Sequence, residues 1–445
     1  MTDRRFWPLW PATVLSRLGD ALRNPALALL AATVSRDPRT IAAVVIAGQL
    51  PPLLFGLLGG VYADRWDRRR TMATVDGVRA ALVGAFALLV AAGTIRPGPV
   101  GAVLLAGCAF LLATLGTLFD AAAFAMLPAV VPAERLAAAN GRLQAGTAVA
   151  GGFVGAPLAG VLFAISAALP FAIDAVTFAV AALLALALRP TLVPSPARHP
   201  AAALSGSTAS RPPAPAAGPP GAAPLPGRQP APATGSTPGA RLADRSGRFR
   251  AELGEGLRWI WRDDALRRIT GLTMVTNLAT SGLIAVVVLY ALEVLHVPEA
   301  GYGLFMSAAV VGSLGGGLLA GRLGTRYGTL PALRGVLVAE TVAIGVLALA
   351  RHPVPGAVAL ALFSAGTACW NALWVAYGQR HVPAELLGRV GSAQRTVGLL
   401  AAPVGAAGAG LLGSAVGLPP VLYAATAVFA LATLASWRVS GRGSS

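Results

Sequence analysis

Gly60-Val61-Tyr62-Ala63-Asp64-Arg65-Trp66-Asp67-Arg68-Arg69-Arg70 is a short basic turn set between two long apolar runs, 40–62 and 72–94. Four arginines between stretches of about 20 apolar residues, the length that crosses a bilayer core, mark a membrane loop on the side where positive charge collects. Gly60 allows two helices to approach closely in lipid. Asp64 is placed to face the positive N-terminus of a neighbouring helix. Arg68 and Arg69 are expected to reach a carboxylate on the fourth apolar run, for which Asp120 is the best candidate. A plain basic anchor would have no use for Asp64.

The rest of the chain agrees with a lipid solvent. Of 445 residues, 56% are hydrophobic and 12% charged, against roughly 25% charged in soluble domains; the mean hydropathy is +0.69. A water-soluble fold of this composition could not cover its surface with polar groups. The net charge is 35 − 18 = +17, but the basic residues are scattered between apolar runs instead of forming a stripe, so no nucleic-acid partner is expected. All 35 basic residues are arginine. Without lysine there is no Walker-type phosphate loop and no Schiff-base chemistry. Cys108 and Cys369 lie in apolar runs as free thiols, and His199, His296, His352 and His381 show no metal-ligand spacing. No cofactor is expected, and no enzyme. The N-terminal MTDRRFWPLWPATVL reads as the start of a retained helix and not a cleaved signal.

Twelve spans are expected, near 9–33, 40–62, 72–94, 100–126, 143–166 and 168–188, then 269–293, 301–323, 331–350, 355–377, 393–413 and 417–437. The fold class is thus an all-α membrane protein of twelve helices in two six-helix bundles, 1–189 and 269–445. Between them, 190–248 carries 14 of the 34 prolines and is expected to be a disordered linker. Residues 249–268 read as an amphipathic surface helix, with Leu253, Leu257, Ile260 and Trp261 on its apolar side.

Placing the N-terminus inside leaves Arg36, Arg39, Arg96 and Arg351 in the outer loops. The inner connections then hold Arg65, Arg68, Arg69, Arg70, Arg135, Arg142, Arg322, Arg326, Arg380 and Arg389. Both termini and the linker are expected in the cytoplasm, with the chain in a bacterial inner membrane. The halves also echo each other. Val131-Pro132-Ala133-Glu134 recurs as Val382-Pro383-Ala384-Glu385, and Gly152-xxx-Ala156-Pro157 as Gly398-xxx-Ala402-Pro403. Gly60-xxx-Asp64-Arg65 recurs as Gly317-xxx-Gly321-Arg322. Parallel repeats of this kind in secondary transporters place the substrate at their interface near the midplane.

The stretch from Gly60 to Arg70 resembles the G-x-x-x-D-R-x-G-R-R loop signature of the major facilitator superfamily, with Asp67 at the second glycine. That departure resembles the branch of macrolide-efflux proteins and the enterobactin exporter. Ser16-Arg17-Leu18-Gly19-Asp20, Leu127-Pro128 with Asn140, and Gly388-Arg389 agree, and the likeness covers the chain outside the linker. It implies that Gly60, Asp64, Arg65, Arg68, Arg69 and Asp120 form a cytoplasmic latch holding one access state. Gly152, Ala156, Pro157 and Gly160 resemble the antiporter signature of helix five, with alanine before the proline; the same residues also fit a proline kink with small-residue packing.

Ionisable residues within spans are functional candidates by default. Arg17, Asp20 and Arg23, spaced i, i+3, i+6, share one face of helix one. They form either a self-neutralising cluster or a cavity wall in which Asp20 binds a proton and an arginine attracts an anionic substrate. Asp76 and Arg79 open helix three and are expected in the cytoplasmic network. Asp174 sits near the outer end of helix six, and Glu340 reads as structural. Asn277, Trp370, Asn371 and Trp374 are candidates for substrate contact or core packing. The expected function is a proton-gradient-driven secondary transporter, monomeric in the bilayer, exporting a hydrophobic or amphipathic small molecule such as a drug, macrolide-like compound or siderophore by alternating access. An importer of the same fold and a non-transporting receptor or scaffold are the alternatives.

Overall fold

The computed structural model describes residues 8–63, 67–131, 135–188, 254–383 and 386–438. The first half contains α1 (Leu9–Val34), α2 (Pro38–Ala63), α3 (Arg68–Ala91) and α4 (Pro99–Val130). In α5, Leu136–Ala148 continues through a π-helical stretch, Val149–Gly155, into Ala156–Ile165; α6 is Leu169–Ala187. The second half contains α7 (Asp264–Leu289, ending in a π-turn Tyr290–Val294), α8 (Glu299–Tyr327) and α9 (Thr329–Leu349). It finishes with α10 (Pro353–His381), α11 (Leu387–Val416) and α12 (Leu418–Arg438). Eleven of these are long and apolar enough to cross a membrane. The exception, α1, is the helix that carries Arg17, Asp20 and Arg23.

Local chemistry sets the helix boundaries. Asp67 caps α3, accepting from the backbone N–H groups of Arg69 and Arg70 at 3.0 and 3.2 Å, as short acceptor side chains do at helix starts. The helix therefore begins at Arg68, one turn before the expected 72. Asp263 caps α7 in the same way, accepting from the Leu266 N–H at 2.9 Å. Prolines stand in the first turn of α4, α6 and α10, where the missing N–H has no partner to lose. Pro157 stands two residues beyond the end of the π-helical stretch of α5, a local rewinding of the kind that absorbs a bond proline cannot make.

Two expectations need correction. The surface helix ends earlier than 268: of its described residues 254–262 are helical, Asp264 onward belongs to α7, and 249–253 lie outside the described residues. Its apolar face is also different. Ile260 is buried, but Trp261 is exposed, and Trp259 packs on the core instead. The expected linker, 190–248, lies outside the described residues.

The repeat seen in the sequence has a counterpart in the packing. In the first half, α1 packs on α5 and α6, α3 on α4 and α6, and α2 on α4. Adding six to each number gives the second half: α7 on α11 and α12, α9 on α10 and α12, and α8 on α10. Between the halves, α2 packs on α11 and α5 on α8. These two seams exchange under the same renumbering, as a two-fold relation requires.

Both seams close at one end of the molecule. A Cβ on Gly303 of α8 would strike the Ala156 carbonyl of α5, and one on Gly160 would come within 2.6 Å of the Ala300 carbonyl. At the other seam a Cβ on Gly410 would lie 2.7 Å from Ala42, and Arg39 Nε donates to Ser414 Oγ at 2.5 Å. Ala42, Ala285 and Ala406 form a small buried plug. Backbone contact of this closeness is possible only between small residues, which replace apolar driving force as the glue between helices in lipid.

Candidate functional site

The centre of the first half holds a connected set of charges. Asp20 of α1 is its hub. Its Oδ1 accepts from Arg23 Nη2 at 2.7 Å and from Arg79 Nη2 of α3 at 2.8 Å, while its Oδ2 lies 3.5 Å from Arg17 Nη1. Arg17 also pairs with Asp120 of α4. Arg23 Nη1 donates to Asp174 Oδ2 of α6 at 3.3 Å, and Arg79 Nη1 donates to Asp76 Oδ1 at 3.3 Å and to Ser16 Oγ at 3.2 Å. Ser16 in turn donates to Asp76 at 3.3 Å.

Three guanidiniums thus meet four carboxylates, a formal charge of 3 − 4 = −1 when all are ionised. Pairing and hydrogen bonding are what make such burial tolerable. Compensation is uneven. Asp76 Oδ2 and Asp174 Oδ1 are buried without a hydrogen-bond partner. Arg79 is clamped under the Phe178 ring, its guanidinium carbon 4.2 Å from the centroid, whereas Arg23 is held less closely at 5.9 Å. Gly19 makes the arrangement possible, since a Cβ there would occupy the space of Asp174 Oδ1 and Thr177 Oγ1.

Arg17, Asp20, Arg23 and Arg79 border a cavity of about 560 Å³ between α1, α2, α4 and α7. Val288 and Tyr302 of the second half close it toward the sealed end. Asp76 and Asp174 do not line it; both are fully buried behind the arginines.

A second cavity, about 740 Å³, lies against α7, α10 and α11, and Ile284 borders both. Asn277, Asn371 and Trp374 line it as the sequence suggested, joined by Gln379 and Gln394. Trp370 stands apart: it is buried, with Nε1 donating to Thr273 Oγ1 at 3.1 Å, and so braces α10 on α7 from behind the wall.

Several expected placements change. Arg68 and Arg69 do not reach Asp120; they donate to the backbone carbonyls of Ala125 and Leu186. Asp120 sits five residues before Ala125, about 7.5 Å at 1.5 Å per residue, and Arg17 takes it. Asp76 and Arg79 belong to the central cluster and not to the cytoplasmic network, because α3 starts early enough to carry Asp76 eight residues, about 12 Å, into the helix. Asp174, five residues into α6, is fully enclosed, covered where α1 presses on α6 at Gly19. Gly60 falls in the last turn of α2, while Asp64 and Arg65 lie outside the described residues. Gly152, Ala156 and Gly160 form the α5–α8 seam. Glu340 is buried away from both cavities, accepting from Thr367 Oγ1 at 2.9 Å.

A twofold-related pair of six-helix halves around a central polar cavity is the arrangement of one class of secondary transporters. Residues 9–406 match the Major Facilitator Superfamily, and the chain belongs to that family of transporters. An uncharacterised MFS-type transporter of Mycobacterium tuberculosis (strain H37Rv) is 34% identical over 155 residues, covering 34% of this chain and 33% of that protein. The match thus spans about a third of that curated relative. Among solved structures, a bacterial homologue of the iron transporter ferroportin in an inward-facing state aligns with a TM-score of 0.70 at 16% identity, covering 99% of each chain. The nucleoside transporter NupG aligns with a TM-score of 0.68 at 13% identity, covering 98% of this chain and 99% of its own.

Proposed function

We propose that the protein is a proton-driven exporter of a small hydrophobic or amphipathic molecule, working as a monomer in a bacterial inner membrane with both termini in the cytoplasm. The observation that carries this reading is the cluster of three arginines and four aspartates at the cavity wall, one carboxylate in excess, with Arg23, Asp76, Arg79 and Asp174 buried, Asp20 part-buried and the Arg17–Asp120 pair exposed. One proton neutralises the set, so its charge balance changes with each proton taken or lost, and an ionic network is a two-state element that a proton can bias. The sealed end carries Arg36, Arg39 and few other arginines, so the positive-inside rule makes it the outside, and this structure an inward-open state ready to load from the cytoplasm.

Asp20, the first candidate for the proton, is the poorer site, because three guanidiniums converge on it. Asp174 has one guanidinium at 3.3 Å, from Arg23, and a bare second oxygen. The charged groups around it are Arg23 and Asp20 on α1 and Arg79 on α3, with Cys108 of α4 close by. We place the exchangeable proton on Asp174. Arg23, which touches Asp174, Asp20 and the cavity, passes the change in charge to the substrate side. The Arg17–Asp120 pair and the basic α2–α3 loop act as the inner latch that engages when that side closes.

Drug accumulation in a pump-deficient bacterial host tests the reading. Wild type should lower accumulation of at least one compound, an uncoupler should abolish the effect, and Asp174→Asn should lose it while still reaching the membrane. Accumulation that falls equally with and without uncoupler would remove proton coupling. Compounds drawn inward instead of outward would reverse the direction.

A further inference from the structure

We propose that the substrate seats against α7, α10 and α11 and is an uncharged molecule with several hydrogen-bonding groups and a flat apolar face. The proposal rests on the transporter reading above, and it assigns recognition to the half of the molecule that lacks the charge cluster. Among the described residues, none of those lining the α7–α10–α11 cavity is charged. Four side-chain amides line it, Asn277, Asn371, Gln379 and Gln394, and among the described residues none of the four has a hydrogen-bond partner in the protein. Gln394 Nε2 is buried outright without one.

Each amide offers two donors and one acceptor. Gln394 Nε2, buried without a partner, is costly in the folded protein, while the part-buried Asn277 and the exposed Asn371 and Gln379 stand open to an incoming group, so a ligand reaching several at once satisfies the buried amide and adds bonds to the others. Trp374 presents an aromatic surface beside them, and Met274 a deformable one. Gly398 keeps the Asn277 amide free, since a Cβ there would stand 2.9 Å from its Nδ2. Trp370, bonded to Thr273 behind the wall, fixes the spacing of α7 and α10.

The volume, about 740 Å³, falls in the range of ~300–1,000 Å³ that holds drug-sized ligands. A charged substrate would need a counter-charge on leaving water. The charges across the cavity do not supply one: each arginine there is already paired with a carboxylate, Asp120 is taken by Arg17, and the remaining acids, Asp76 and Asp174, are buried behind the arginines out of a ligand's reach. The chemistry selected is therefore that of neutral amides, polyols and glycosides bearing an aromatic or aliphatic face.

Equilibrium dialysis of the full chain in nanodiscs tests this with a panel of labelled probes: chloramphenicol and four other uncharged aromatic amides or polyols, the cation tetraphenylphosphonium and the anion benzoate. At least one uncharged member should bind. Asn371→Ala and Gln394→Ala should each weaken it about five- to tenfold, the scale of one lost hydrogen-bond group. Gln394→Glu should lose the uncharged probe and acquire tetraphenylphosphonium, a gain that misfolding cannot produce. Binding of only the charged probes, binding that survives the double Asn371→Ala, Gln394→Ala variant, or no binding by any uncharged member would each overturn the proposal. The same probes in the accumulation assay separate the two readings. Uncharged probes that bind but are not moved in an uncoupler-sensitive way would sink proton-driven export and leave the neutral site standing.

Discussion

The walls facing the two cavities come from the same repeat but carry opposite chemistry. Arg17, Asp20 and Arg23 sit on α1 at spacing i, i+3, i+6. On α7, at the same spacing and 257 residues further along, stand Met274, Asn277 and Thr280. That offset is the one separating Gly60 from Gly317. Asp20 collects three guanidiniums, whereas Asn277 collects none. On α3, Asp76 and Arg79 complete the ionic network; the residues at the same offset on α9 are Leu333 and Val336, both buried in the apolar core. Duplication thus conserves the helix packing, while the polar chemistry is divided, ions on one side and neutral hydrogen bonding on the other.

The contrast predicts where substitutions hurt. The largest effect is expected from Arg79→Met. It would leave Asp20 and Asp76 short of a shared partner in a buried site, and unpaired buried charge costs about 3–5 kcal/mol. Thermal unfolding in detergent should show that loss, with transport abolished. An Arg79→Met protein as stable as wild type would mean the ionic half is no more demanding than the neutral one.

Gly19→Val comes next. Its side chain has to displace Asp174 and Thr177 where α1 meets α6, an overpacking that costs about 1–3 kcal/mol; Gly271→Val on α7, where a Cβ meets nothing within 4 Å, should be mild in the same melting experiment. Asn277→Asp sharpens the comparison from the other side. It makes α7 resemble α1 without supplying arginines, and should cut binding of an uncharged probe at least tenfold, measured by dialysis, about 1.4 kcal/mol.

Smaller effects separate buried acids by role. Glu340→Gln should alter transport less than twofold, since Glu340 faces Thr367 and neither cavity. The matched Asp174→Asn should remove uncoupler-sensitive extrusion. Equal loss in both would dissolve the distinction between a structural and a coupling carboxylate. Smallest of all, Arg36→Gln removes an exposed pair with Glu293 at 3.3 Å and should change stability by about 0–1 kcal/mol, as surface ion pairs do. Its melting curve should overlay that of wild type.

Much of this was readable along the chain because lipid imposes a one-dimensional rule. A span must satisfy its backbone within itself and present some 20 apolar residues, so helix positions follow from composition alone. The α1 triad was legible for the same reason: charges within a span stand out, and helical spacing puts Arg17, Asp20 and Arg23 on one face. What the triad touches was not legible. Asp76, Arg79 and Asp174 looked peripheral because their depth depends on where α3 begins and on how closely α1 meets α6. The first turns on a cap at Asp67, and the second on a glycine at 19.

By itself the sequence determined the all-helical membrane class, the internal repeat and the basic α2–α3 loop, since each is a local or periodic property of the chain. Only the tertiary structure decided that Asp120 pairs with Arg17 instead of Arg68 or Arg69, that Trp370 is a brace while Trp374 is a wall, and that the small residues of α5 are a seam against α8. These are long-range contacts between helices, set by which small residues let backbones meet, and no spacing within a single helix encodes its partner.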